Sequence, residues 1–188
     1  MRKYPHIPYL SKMSESEKMR LFENAYIFEK IDGINCMIKK SGKYLSRGLR
    51  SGRLSKSMKK TNIAGVLEKI FWNNYQSLEK LEDGVYFFEL LTNRENRKID
   101  YKPEFLNKLF LLDVWDDGWL NYEEATKRIE GVPDVIILDV LHKGPVDENI
   151  VKHLLEKKSP YAIDGKGEGL VIKNYPAGLF AKIYTKRK

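Results

Sequence analysis

Apolar and polar residues recur along this chain with two different periods, and the switches between the periods mark its elements. Residues 14 to 24, SESEKMRLFEN, predict a short helix: Ser14 stands at the N-cap and Glu17 three residues on, the reciprocal pair that satisfies the first free backbone N–H groups. The following stretch, YIFEKIDGINCMIKKSGKYLSRG, is rich in β-branched and aromatic residues and breaks at Ser41-Gly42, which predicts two extended runs joined as a hairpin. From Thr61 onward, Ile63, Val66, Leu67, Ile70, Phe71, Tyr75, Leu78 and Leu81 recur at helical spacing, so one amphipathic helix packed on the core is expected. GVYFFELL and LFLLDVW are continuous apolar runs that suit buried strands. NYEEATKRIEG opens on an Asn cap and closes on Gly131, a further helix. DVIILDV predicts a strand, residues 146 to 158 a helix, and EGLVIKNY and GLFAKIY two late strands across a Pro-containing turn. Hairpins with interspersed helices favour an α+β architecture over a doubly wound parallel one.

At 188 residues, with 42% hydrophobic and 32% charged residues, the chain suits one soluble domain with a real core. It holds no run of eighteen apolar residues, and the basic N-terminus has no apolar segment behind it, so neither a membrane span nor export is expected. The single cysteine, Cys36, forms no internal disulfide and no thiolate cluster, which points to a reducing, cytoplasmic setting. His6, His142 and His153 have no metal-ligand spacing. The net charge of +8 is unevenly spread: no acidic residue falls between Gly33 and Glu68, while Lys39, Lys40, Lys43, Arg47, Arg50, Arg53, Lys56, Lys59 and Lys60 all do. A one-sign stretch of this kind fits a phosphate-facing surface and equally a solvated loop. KIYTKRK adds a second basic cluster at the C-terminus.

Lys30 sits in an apolar run, where an ammonium is costly unless it snorkels to water or has a use. It opens an ordered series: EKIDGIN at 29–35, SRG at 46–48, YFFEL at 86–90, LLDVW at 111–115, EGLVIK at 168–173 and AKI at 181–183. From about Tyr4 to about Tyr184 this series resembles the covalent nucleotidyltransferases, the superfamily of ATP-dependent DNA and RNA ligases and mRNA capping enzymes. Within it the chain looks most like RNA ligases of the RNA ligase 2 type. Asn35 stands two residues after the motif glycine where those enzymes carry Asn and DNA ligases usually Arg; RKIDY at 97–101 is similar to a segment they share; and KYPHIPYL looks like their N-terminal opening, with an intact natural start.

The resemblance implies a nucleotidyltransferase fold, with antiparallel sheets flanked by helices around a nucleotide cleft. It implies that Lys30 is the nucleophile on the α-phosphorus of ATP, with Mg²⁺ or Mn²⁺ as the metal. An ordinary lysine, with a pKa of about 10.4, is protonated at neutral pH, and removal from water among cations frees its lone pair. By the same resemblance Glu29, Ile31, Gly33 and Asn35 line the nucleotide, Arg47 meets the ribose or a phosphate, Glu89 takes the ribose hydroxyls, Glu168 holds the hydrated metal, Lys173 belongs to the nucleotide site, and Lys182 helps hold the phosphates and acidify Lys30. The residues alone leave alternatives: Gly33 also reads as a plain turn glycine, and Arg47 as a solvated cation. Glu89, inside an apolar run, has to be paired or ligand-bound. Glu168 and Lys173 lie five positions apart and so fall on opposite faces of a regular strand.

Two positions depart from the family pattern. Leu112 stands where a purine-stacking aromatic usually precedes the aspartate; either Phe110 two residues back substitutes, or the aliphatic contact of Leu112 suffices. The last motif normally carries two lysines one residue apart, and beside Lys182 the candidates are Phe180 and Tyr184, with Lys186 further on. The expectation is thus one adenylyltransferase domain over 1–188, lacking an OB-fold or helical appendage: either a minimal ligase or one domain of something longer, its missing part supplied by a partner protein. Its partner would be nucleic acid, RNA 5′-phosphate and 3′-hydroxyl ends in a nicked duplex. A small DNA ligase, a GTP-using capping enzyme and a non-catalytic nucleic-acid-binding module of the same fold are the rivals.

Overall fold

A computed structural model describes residues 4–49, 63–93 and 98–185. Arg50, Arg53, Lys56, Lys59 and Lys60 of the basic stretch, the helix start at Thr61, Arg97 of RKIDY, and Lys186 with the rest of the C-terminal cluster lie outside the described residues. In chain order the elements are α1 (Glu15–Glu23), β1 (Ala25–Glu29), β2 (Ile34–Ser41), β3 (Tyr44–Leu49), α2 (Ile63–Asn73), α3 (Tyr75–Leu78), β4 (Gly84–Leu91), β5 (Lys108–Trp115), α4 (Tyr122–Ile129), β6 (Val135–Ile136), β7 (His142–Gly144), α5 (Glu148–Leu155), β8 (Gly169–Asn174) and β9 (Leu179–Tyr184). They divide into two compact units, one built from Asp32–Arg97 and Pro103–Ile137 together with Tyr4, the other from Pro5–Ile31, Lys98–Lys102 and Leu138–Lys188.

The first unit is a five-stranded sheet ordered β3-β2-β4-β5-β6, antiparallel except for the β5–β6 pair. The inner face carries Ile34, Cys36 and Ile38 of β2, Tyr86, Phe88 and Leu90 of β4, and Leu109, Leu111 and Val114 of β5, which form one core with Ile63, Leu67, Ile70 and Phe71 of α2 and Ala125 and Ile129 of α4. Burying such side chains contributes about 2 kcal/mol each, enough to fix strand register, since a slip by one residue would move all of them to the other face. The second unit is an antiparallel four-stranded sheet, β7-β1-β8-β9, whose core of Ala25, Ile27, Leu170, Ile172 and Ala181 packs with Leu21 of α1 and Val151 and Leu154 of α5.

The fold class is the α+β arrangement expected, and most elements fall where the pattern put them. Ser14 caps α1 by accepting from Glu17 N–H while the Glu17 carboxylate accepts from Ser14 N–H, and Asn121 and Glu124 repeat the device at α4. Three expectations are corrected. The run through Lys30 is not one arm of the hairpin: it splits at residues 30–33 into β1 and β2, which lie in different sheets, and the Ser41-Gly42 turn joins β2 to β3. The long helix breaks at buried Asn74, whose Nδ2 donates to Ile70 O at 2.8 Å and to Asp134 Oδ2 at 3.0 Å, a side chain competing for helical backbone partners. DVIILDV yields only β6: Val135 and Ile137 pack on the core of the first unit, and Leu141, just after the run, packs on that of the second. The polar HKG of β7 carried no strand pattern.

Ser14→Ala removes a cap whose loss costs about 1 kcal/mol. Urea unfolding followed by circular dichroism is expected to show a lower midpoint with an unchanged slope; an unmoved midpoint would mean the cap contributes nothing.

Candidate functional site

In the second unit, Lys30 follows directly on β1, and its backbone N–H donates to Gly169 O at 2.8 Å. Its Nζ is ion-paired with Glu168, and both side chains are largely buried, 18% and 7% exposed. Its Nζ also lies 3.4 Å from the carbonyl oxygen of buried Ile31. The pairing depends on Gly169. Its φ of +155° is a conformation that residues with a Cβ rarely adopt, and a Cβ there would run into the Ile183 carbonyl. The chain therefore turns between Glu168 and β8.

That turn removes the conflict between Glu168 and Lys173. Strand register aligns Phe28 with Val171 and Val171 with Lys182, and Tyr26 with Lys173 and Lys173 with Phe180. Tyr26, Phe28, Lys173, Phe180 and Lys182 thus share the face opposite the core. Lys173 is buried, with Nζ 5.0 Å from the Phe28 ring centroid and 5.7 Å from that of Phe180. Glu168 lies before the strand and outside its alternation, so it reaches Lys30. The ring of Tyr184 takes Lys30 Nζ at 5.3 Å and Lys182 Nζ at 5.9 Å from its centroid. Lys30, Glu168 and Lys182 are brought together around this ring.

Glu29 is not among them. It pairs in register with Leu170, a core residue, so its side chain points to the core face, where Ser159 Oγ donates to its Oε1 at 2.6 Å. The same Ser159 oxygen accepts from Tyr161 N and Ala162 N, each at 3.2 Å. Burial pushes the Glu29 carboxyl up to about 7, against a smaller downward pull from the Ser159 bond. Lys157 and Lys158 line the small cavity beside it.

The first unit holds a second group. Gly33 N–H donates to Glu89 Oε1 at 3.0 Å, which answers where this carboxylate in an apolar strand finds its partner. A Cβ on Gly33 would come within 2.7 Å of both Glu89 Cγ and Leu90 O, so this glycine is required by the approach of β4 itself. Asn35 and Phe110 flank Glu89 in register on neighbouring strands and share its face. Leu112 is the extra residue of a β-bulge, since Phe88 pairs with Leu111 and Phe87 with Asp113. The bulge puts Asp113 on the face of Glu89 and Phe110, where it accepts from the Tyr4 hydroxyl. Phe110 has no exposed surface and packs on Phe105, centroids 6.2 Å apart, whereas Leu112 is half-buried.

Arg47 lies on the other side of the sheet. It pairs in register with Ile38, between Leu45 and Leu49, all of which face the α2 core. Its guanidinium meets Glu68 at 2.6 Å and stacks over Phe71, 4.6 Å from the ring centroid. Sequence reasoning missed the buried Tyr4–Asp113 pair; a carboxylate inside LLDVW was the available signal. Cys36, also next to Glu89, has its thiol pushed well up by burial and is chemically quiet.

Among the described residues no cluster of three or more His, Cys, Asp or Glu side chains could cage a metal. A lone buried carboxylate such as Glu168 fits a hydrated Mg²⁺ or Mn²⁺, ions that keep their waters and take few protein ligands, and does not fit a dehydrated zinc or calcium centre. No helix among the described residues is long and apolar enough to cross a membrane.

The family model for RNA ligases matches residues 23–183. No curated protein matches the chain. Among solved structures it is similar to an RNA ligase of Naegleria gruberi bound to pyrophosphate, at 14% identity and a TM-score of 0.72, over 98% of this chain and 56% of that one. It is similar also to a mutant of that ligase with ATP and Mn, at 14% identity and a TM-score of 0.68, over 96% of this chain and 55% of that one. The chain thus spans just over half the length of those proteins.

Glu29 supplies a pH test. Its folded pKa is raised from 4.5 to about 7, so below pH 4.5 both folded and unfolded states carry the proton and its contribution is fully present. As pH rises from there to about 7 the unfolded chain releases the proton first, and stability falls by something on the order of 3 kcal/mol. Glu29→Gln keeps an oxygen for Ser159 and cannot ionise; wild type measured against it by urea unfolding is expected to lose stability between pH 5 and pH 8, and a constant difference would contradict the burial of this charge.

Proposed function

The chain belongs to the RNA ligase family, and on that premise we propose that it is an ATP-dependent RNA ligase acting through a lysyl-adenylate on Lys30. The neutral Lys30 amine, its proton given to solvent, attacks the α-phosphorus of ATP; the N–P bond forms, the bond from that phosphorus to the bridging oxygen breaks, and pyrophosphate leaves. The AMP then passes to an RNA 5′-phosphate, freeing Lys30, and a neighbouring 3′-hydroxyl displaces AMP to form the phosphodiester.

The observation that carries this reading is the ion pair of Lys30 with Glu168, held by Gly169 at the ring of Tyr184. A carboxylate beside Lys30 suits its ammonium form, so Glu168 has two uses that exclude one another. Paired with Lys30 it parks the nucleophile; as the residue that would hold a hydrated divalent ion, it would leave the amine without its counter-charge. A bound Mg²⁺ or Mn²⁺ would supply charge neutralisation at the phosphate oxygens. Lys182, from the neighbouring strand, offsets negative charge on the departing phosphates, and Lys173 keeps its ammonium on the same face. Glu89, oriented by Gly33 N–H, is assigned to the ribose hydroxyls, with Asn35 beside it as the RNA-ligase-type residue of the first motif. Arg47, paired with Glu68 and stacked over Phe71, lies on the α2 side of the sheet, away from the face of Glu89.

Incubation with α-labelled ATP and Mg²⁺ is expected to leave acid-sensitive, alkali-stable label on the wild type, background label on Lys30→Ala, and label reduced by two to three orders of magnitude on Glu168→Gln, the scale of losing one electrostatic group at a reacting phosphate. Absence of label on the wild type from either ATP or GTP would make the chain a binding module. Nicks with RNA on the 3′-hydroxyl side are expected to seal faster than all-DNA nicks, and equal sealing would overturn the RNA preference.

A further inference from the structure

The last motif lacks its second lysine, and Tyr184 stands at one of the two positions that flank Lys182 one residue away. The ring at that position is not short of cations. Besides Lys30 and Lys182, a third ammonium approaches it: Lys98 Nζ lies 5.6 Å from the Tyr184 centroid. We propose that Lys98 replaces the missing motif lysine as a ligand for the β- and γ-phosphates of ATP and for the pyrophosphate that leaves; this rests on the ligase reading above.

The path of the chain supports the assignment. Lys98–Lys102 is a five-residue excursion into the second unit from a chain that lies in the first unit on both sides. Two buried side chains, Ile99 and Tyr101, pin it there. Backbone bonds fix it further, Lys102 N to Tyr161 O at 2.9 Å and Ile163 N to Asp100 O at 2.8 Å. Along this short piece Lys98 and Asp100 are exposed while Ile99 and Tyr101 are buried, so an exposed lysine is delivered to a fixed place.

That place suits a polyanion. Lys30, Lys98 and Lys182 all lie within 6 Å of one ring centroid, and Lys182 is also 5.0 Å from the ring of Tyr9. Lys30 is paired with Glu168, and the aromatic faces of Tyr184 and Tyr9 border the other two ammonium groups, so a phosphate chain beside Lys30 has cationic neighbours on one rim. A triphosphate threaded past Lys30 meets them in order: its α-phosphorus faces the nucleophile while the outer phosphates reach the two remaining ammonium groups. Lysine suits this task because its compact charge on a flexible stem follows the phosphates as they separate. In the lysyl-adenylate and the later steps no pyrophosphate is present, so Lys98 acts only in the first step and its reverse.

The test compares wild type, Lys98→Ala and Lys98→Arg in three measurements: the ATP concentration giving half-maximal labelling of Lys30, the release of AMP from labelled enzyme by added pyrophosphate, and sealing of RNA that already carries a 5′-adenylate. Lys98→Ala is expected to raise the ATP requirement and the pyrophosphate requirement by roughly tenfold or more, as expected for one lost charge-assisted contact. The defect is confined to these two steps, and Lys98→Arg restores most of both. Lys98→Ala matching wild type in the first two measurements overturns the assignment, as does an equal defect in all three, which would mark a general structural effect. A wild type that takes no label fails the ligase reading itself and this inference with it.

Discussion

Everything proposed for this protein depends on a lysine and a carboxylate meeting at the end of two paired strands. Lys30 and Glu168 are both largely removed from water, where either charge alone would be costly, so each is the other's reason for being there. The meeting is arranged by backbone. Lys30 N–H bonds to Gly169 O, and Gly169, at a φ few other residues tolerate, swings Glu168 out of the strand's alternation. Removing one partner of such a pair costs more than the pair contributes, which makes the arrangement a poor stabiliser and a good switch.

Strand register then sorts the remaining candidates. On the second unit's sheet, the face opposite the core gathers Phe28, Lys173, Phe180 and Lys182, aromatic rings interleaved with ammonium groups. On the first unit's sheet, the face opposite the core carries Asn35, Glu89, Phe110 and Asp113, and a bulge at Leu112 is what sets the last two on the same face. A period of two places each residue on one face without regard to its chemistry. Arg47, plausible by charge and motif, falls on the face that packs on α2 and is consumed by Glu68 and Phe71.

The parts of this arrangement that were legible in the sequence are those written in local chemistry. Caps at Ser14 and Asn121, the Ser41-Gly42 turn and the long apolar strands state their positions within a few residues of chain, and the ordered motifs state the family. What stayed hidden depends on the backbone or on distant chain. Nothing in EGLVIK announces that its glycine turns Glu168 toward Lys30, and the bulge at Leu112 is a mismatch between two strands that neither carries alone. The reason for Gly33 lies 56 residues away, in Glu89 and Leu90. In RKIDY Lys98 reads as one more basic residue, because its nearness to Tyr184 arises only where residues 98–102 join the second unit.

The central claim is chemical and concerns a single nitrogen. Tandem mass spectrometry of the intact chain, digested under alkaline conditions after incubation with ATP and Mn²⁺, locates the adenylyl group to a residue. The account predicts it on Lys30 and on none of Lys98, Lys173 or Lys182, although those three ammonium groups belong to the same unit. An adenylyl group on any other lysine, with Lys30 unmodified, would contradict it.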